Sequence, residues 1–264
     1  MGGTGYEPLD TLKPVDDGLW LIDGPAIRFY GLPFSTRATV VRLENGGLWV
    51  HSPTRLTPAL RAELDALGPV RHLIAPNWLH FAHVADWQAA WPRATARAAP
   101  GVAARAAKNG LSLSFDRELG AERAEAPWRG EIRQMIVRGS KLHREAVFFH
   151  KRSRSLILTD LIEAHETEVH AGLGAAVDLA CRHRRQRRQD APDMAWSFRD
   201  KAALAEDVER MIAWAPRRVI LAHGRWYESN GVNELERAFR RLLRTRRWEI
   251  AYEEARGRNR DGAP

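Results

Sequence analysis

The feature that most constrains this chain is a short apolar run that stops at a proline and is followed at once by histidines. His72-Leu73-Ile74-Ala75 reads as a buried strand, and Pro76 ends it because proline cannot donate to a sheet ladder. Asn77, His80 and His83 follow in the turn, ahead of a helix predicted over Asp86–Trp91. In α/β sheets, chemistry is usually placed outside strand ends. Two imidazoles three residues apart can lie on one side of a tight turn and share a metal ion. The turn is therefore a candidate metal-binding loop.

The neighbouring segments supply the rest of a sheet. Leu19–Ile22, Ile27–Tyr30, Thr39–Leu43 and Leu48–His51 read as short strands, the last two joined by the hairpin turn Asn45-Gly46-Gly47, so the first fifty residues predict an antiparallel meander. Ser52-Pro53-Thr54 ends it. A helix over Pro58–Leu67 follows, with Leu60, Leu64 and Leu67 on one face and Gly68 closing it. Strand, helix and the His72–Ala75 strand together require a parallel pair. Arg93–Ala98 is read as a strand, Gly101–Lys108 as a helix and Asn109–Arg129 as connection.

The second half repeats the rhythm. Ile132–Val137, Ala146–Phe149, Leu156–Thr159 and Val219–Ala222 are strand-like. Asp200 caps a helix with Leu204, Val208, Met211 and Ile212 inward, and Asn233 opens a last helix with Glu236 at the capping-box position. Glu163–Arg199 is weakly periodic and reads as an excursion or two short helices. The ends, about 1–12 and 256–264, read as disordered. The expectation is one domain over 1–264, with two sheets face to face and helices outside.

Composition narrows the function classes. No apolar run approaches eighteen residues, so no membrane span is expected, and the amino terminus lacks a basic segment followed by an apolar one. The single cysteine, Cys181, rules out an internal disulfide and fits a reducing compartment, so a cytoplasmic location is expected. The net charge of +8 is spread over both halves and fits a general arginine bias. The basic runs Arg182–Arg188 and Arg237–Arg247 leave nucleic-acid binding as a minor alternative, without a recognisable motif behind it.

Candidate ligands recur at strand ends and turns: His80 and His83, His143 before one strand, Asp160 after another, and His223 before Gly224. Each also has a structural reading, as turn residue, cap or buried histidine. Imidazoles with a carboxylate suit zinc, iron or manganese. A metal-bound water drops from a pKa near 16 to about 7, which supplies a nucleophile.

Ser52-Pro53, Ala75-Pro76-Asn77-x-x-His80, the run from Phe148 through Thr159-Asp160-Leu161, and Ala222-His223-Gly224 together resemble the metallo-β-lactamase-like superfamily. More closely, they are similar to an uncharacterised branch known as a domain of unknown function, and the likeness spans about Leu19 to Leu243. The resemblance implies a four-layer αβ/βα sandwich with a metal site at one edge of the sheets. It further implies hydrolysis of an ester, lactone, thioester or phosphoester of a small molecule by a mono- or degenerate dinuclear site. His80, His83, Asp160 and His223 would ligate, and His143 or Glu145 would complete the shell. Asn77 and His51 are secondary candidates, and Arg138 and Arg154 would hold an anionic substrate group.

The chain departs from the pattern. The superfamily loop is His-x-His-x-Asp-His. With His83 in its last position, Trp78, His80, Ala82 and His83 occupy the named places. Aligned on Asn77 instead, His80 survives and His83 becomes incidental. The strand that usually ends in Asp-x-Gly ends here in His51-Ser52-Pro53. These losses make a non-catalytic binding protein the alternative.

Overall fold

The computed structural model describes residues 6–29, 32–120, 126–162 and 197–261. The predicted excursion, with Cys181 and the Arg182–Arg188 run, lies almost wholly outside them. Strands β1 (Lys13–Asp16), β2 (Leu19–Phe29), β3 (Leu32–Arg42) and β4 (Leu48–His51) form the expected meander. Helix α1 (Pro58–Leu67) then leads to β5 (Val70–Ala75), which pairs parallel to β4. Helix α2 (Val84–Ala90), β6 (Thr95–Ala98), α3 (Val102–Lys108) and β7 (Arg117–Glu118) complete a seven-stranded sheet in simple sequence order.

The second sheet has the order β11-β10-β9-β8, built from β8 (Ile132–Ile136), β9 (Ala146–His150), β10 (Ser155–Ile157) and β11 (Arg218–Ile220). Helices α4 (Lys201–Ala213), α5 (Gly231–Ala238) and α6 (Arg240–Asp261) belong to this half.

Period-two alternation divides this sheet between two cores. Ile132, Ile136, Ala146, Phe148, Ile157 and Ile220 join the cluster that holds the first sheet together with Leu60 and Leu64 of α1, Trp87 of α2 and Val102 of α3. The intervening residues Met135, Val147, Phe149, Leu156, Val219 and Leu221 pack with Leu204 and Val208 of α4 and Leu235 of α5. Successive strand side chains point to opposite faces. One face of the second sheet therefore meets the first sheet and the other meets helices, giving four layers. Thr57 caps α1 through Leu60 N (3.2 Å), and Gly68 closes it where a Cβ would lie 2.6 Å from the Gly46 carbonyl.

Several boundaries differ from the sequence reading. The meander does not break at Asp23-Gly24-Pro25. β2 runs through it with a register shift between Gly24 and Ile27, a bulge that accommodates the proline. The segment read as connection contains β7 and a 3-10 turn at Ala126–Trp128. The last helix is two: α5 starts at Gly231 with Asn230 in the left-handed region and no side-chain cap, so Asn233 is not its cap. α6 continues past Arg256 to Asp261, within the end read as disordered. Among the described residues, no helix is long and apolar enough to cross a membrane.

Candidate metal centre

The site lies where strand ends of both sheets meet. β4 pairs only with Thr39–Arg42 of β3, so the rest of the β2–β3 hairpin projects beyond the sheet and overhangs those ends. Two contacts lock the sheets together there. Arg37 of β3, itself paired with Asp23 (2.7 Å), donates across to the carbonyls of Leu221 (2.6 Å) and Gly224 (2.9 Å). Ala146 N donates to the Pro76 carbonyl (2.8 Å).

Within this frame His80, Asp160 and His223 converge. His80 Nε2 and His223 Nε2 each lie 3.0 Å from Asp160 Oδ1, and 3.2 Å from one another. Each ring is held by its other nitrogen: His223 Nδ1 lies 2.6 Å from the Ser35 carbonyl, and His80 Nδ1 lies 2.8 Å from Ser52 Oγ. A carbonyl can only accept, so His223 carries its proton on Nδ1. In the neutral ring Nε2 is then a bare lone pair, aimed at a carboxylate oxygen and a second imidazole. Three electron-rich atoms so placed repel one another unless a proton or cation stands between them. A metal about 2.0–2.2 Å from each ligand would separate neighbouring ligands by roughly 3.0–3.5 Å, which matches this spacing. The donor set therefore fits a divalent transition metal.

Electrostatics agree. Burial pushes the Asp160 carboxyl up, but positive charge on His80 and protons on the facing nitrogens of His223 and His80 outweigh it and hold the group well below the usual carboxylate range, so that without a metal a proton stands between these atoms. The carboxylate is further fixed by Asn77, whose Nδ2 donates to Asp160 Oδ2 (2.6 Å) and Thr159 Oγ1 (2.9 Å). Asn77 Oδ1 accepts from the backbone of Leu79 (2.8 Å) and His80 (3.1 Å), so one side chain shapes the turn and steadies both ligands.

The remaining sequence candidates fall around this trio. Glu145 and His143 form a second buried group with Asp160. Glu145 accepts three backbone N–H groups, from Thr159 (2.7 Å), Asp160 (2.9 Å) and Leu161 (2.9 Å), and His143 Nε2 lies 3.2 Å away. Its lone pairs are taken up in shaping the Asp160 turn. His83 is turned toward Asp86 (3.4 Å), with its side chain 37% exposed, and stands outside the trio. The register led by Asn77, with His80 as the ligand, describes the loop better than the one ending at His83.

His51 projects between the sheets, stacked on Trp49 and edge-on to Phe148, with Nε2 buried and unpartnered. Burial chiefly, with His80 adding and Asp160 opposing, lowers its pKa to about 3, so it is neutral at pH 7. The two arginines expected to hold substrate are engaged elsewhere. Arg154 precedes β10, at the opposite end of that strand from Asp160, and donates to the Ala215 carbonyl. Arg138 grips Asp207 and Glu206 of α4.

Sequence reasoning missed Ser35 and Ser52, the groups that set the imidazole orientations. Ser35 acts through its backbone carbonyl, which leaves no residue-type signal. Ser52 was visible as a strand-end residue and as part of the Ser52-Pro53 motif, but with no role attached. Above the trio opens a cleft walled by Ile27, Phe34, Pro53, Leu79 and Ala82, with Ser52 and His83 also lining it. Among the described residues no lysine or arginine lines it.

A family model described as "Domain of unknown function (DUF4336)" matches residues 17–201. No curated protein matches the sequence. Solved structures of metallo-β-lactamases superpose over most of the chain. The DIM-1 enzyme exposed to ceftazidime is 14% identical with a TM-score of 0.61, covering 89% of this chain and 96% of that one. An Erythrobacter litoralis enzyme with β-mercaptoethanol in its active site is 14% identical at 0.61, covering 88% and 93%. FIM-1 from Pseudomonas aeruginosa in its mono-zinc form is 15% identical at 0.59, covering 89% and 95%. At such identities the likeness establishes the fold.

Proposed function

Taking as premise that the chain belongs to the DUF4336 family and has the metallo-β-lactamase fold, we propose that it is a mononuclear metal-dependent hydrolase of an uncharged ester, lactone or thioester. The observation that carries this reading is the convergence of His80 Nε2, His223 Nε2 and Asp160 Oδ1 within 3.0–3.2 Å at the floor of a cleft. Two imidazoles and one carboxylate, with room on the cleft side, form the three-ligand pattern of a catalytic rather than a structural site. A single site is favoured because Glu145 spends its acceptor capacity on three backbone N–H groups.

When bound, a divalent metal supplies Lewis acidity and a hydroxide-like water near neutral pH. The chain does the rest. Ser52 and the Ser35 carbonyl hold the imidazoles with Nε2 toward the site. The walls of Ile27, Phe34, Pro53 and Leu79 suit an apolar acyl portion and exclude water from it. The absence of a cation among the described lining residues favours acyl substrates over phosphoesters.

The first test is elemental analysis of purified protein, expected to give about one equivalent of zinc, iron or manganese, lost in His223→Ala. Folded protein that takes up none of the three, even after incubation, would overturn the reading. A non-catalytic binding protein is the second reading, favoured by the missing aspartate of the signature loop. It predicts bound metal without turnover of any ester, lactone or thioester.

A further inference from the structure

Helix α6 carries a face that the fold does not use. At about 100° per residue, Leu243 and Arg246 point inward, Leu243 buried among the core residues and Arg246 paired with Glu206 of α4. The opposite arc, roughly 160° wide, holds Arg240, Arg241, Arg244, Trp248, Tyr252 and Arg256, all exposed. Through Arg256 the other positions on it are Thr245, Ala251 and Ala255, and no acidic residue falls there. The acids of the helix up to Arg256, Glu249, Glu253 and Glu254, occupy the remaining arc. Net charge was spread evenly through the sequence; the helix sorts it onto one side.

The aromatic pair is unusual for a solvated surface. Trp248 and Tyr252 are 66% and 50% exposed, with rings 10° from parallel and centroids 5.3 Å apart. The Arg256 guanidinium lies 5.7 Å from the Tyr252 centroid. Arg240, Arg241 and Arg244 form no ion pair among the described residues, whereas Arg246 and Arg247 off this face pair with Glu206 and Glu236.

We propose that this face binds single-stranded nucleic acid. Four arginines along about 24 Å of helix match a linear run of phosphates, and the flat stacked pair offers unpaired bases a surface on which any base can stack. A duplex keeps its base faces covered and would leave that surface unused. An interfacial membrane helix needs a broad apolar face, and this arc has no aliphatic side chain larger than alanine. A second copy of the same face would meet it with like charge.

Fluorescence anisotropy with labelled dT20 and U20 and the full chain tests this, with circular dichroism on each variant. Four phosphate contacts predict a log–log salt slope near −3, a loss of roughly fifty-fold in affinity between 50 and 200 mM salt. Trp248→Ala with Tyr252→Ala should weaken binding about ten-fold or more, and Arg241→Glu with Arg244→Glu should abolish it at 200 mM. Undetectable binding at 50 mM, unchanged binding by the folded aromatic variant, or equal affinity for duplex or heparin would overturn the proposal. So would capture by phosphatidylserine vesicles without capture by the oligonucleotides.

Discussion

Replacing Glu145 by glutamine removes one charge and turns one acceptor oxygen into a donor, inside a side chain that is fully buried. The carboxylate receives one N–H on Oε1 and two on Oε2. In either orientation the glutamine NH2 faces at least one of these donors. The better orientation keeps the bonds from Asp160 and Leu161 and orphans Thr159 N. Hydrogen bonds to a charged group contribute about 1.5–3 kcal/mol, neutral ones about 1, and a buried orphan donor costs about 1–3. Since the three bonds share one group, the net loss is about 3–5 kcal/mol rather than their sum. For a chain of this size that lowers Tm by on the order of 10 °C. Thermal and urea unfolding of metal-free Glu145→Gln, followed by circular dichroism, measure it. A loss below about 1 kcal/mol with reduced metal uptake would show Glu145 to be a ligand and refute the assignment of a backbone clamp.

Other outcomes separate the residues around the site. His80→Ala and His223→Ala should each abolish stoichiometric metal binding, while His83→Ala retains one equivalent by elemental analysis. Ser52→Ala frees the His80 ring and should weaken metal affinity about 10–100-fold in a competition titration. The His51 pKa, lowered from 6.5 to about 3, makes the unfolded chain bind a proton that the folded one refuses. Its contribution is full above pH 6.5 and falls as pH drops toward 3. The metal-free protein should therefore lose about 2 kcal/mol between pH 7 and pH 5 through this group. Urea unfolding of His51→Asn over that range should show a shallower slope, and an identical slope would contradict the assignment.

The layers were legible because alternation is a strong signal where each strand face meets a different neighbour. Phe148 and Phe149 are both apolar, yet their opposite directions place one between the sheets and the other under α4 and α5. The three residues that converge were legible as polar residues following apolar strands: His80, Asp160 and His223. What separates them from His83, His143 and Glu145 was not. That distinction depends on which nitrogen faces a carbonyl, and on where three backbone amides point, and neither is encoded by residue type. Arg154 was misplaced because a strand has two ends, and proximity in sequence to Asp160 does not select the same one; Arg138 follows β8 at the Asp160 end but is drawn onto Asp207 and Glu206 of α4. The arginines of α6 were legible as a basic run, but the face they share with Trp248, Tyr252 and Arg256 depends on one continuous helix from Arg240 onward.

Arg37 has a consequence for how the fold would respond to gain or loss of the proposed metal. Its guanidinium already bridges the two sheets at the edge where His80, Asp160 and His223 gather, through Asp23 on one side and the Leu221 and Gly224 carbonyls on the other. A positive charge that is part of the chain thus closes the seam permanently. A metal at the neighbouring trio, as proposed, could therefore come and go without the halves parting. In small zinc domains, stripping the ion dissolves the fold. Here a chelator should leave the scaffold standing whether or not the trio was occupied.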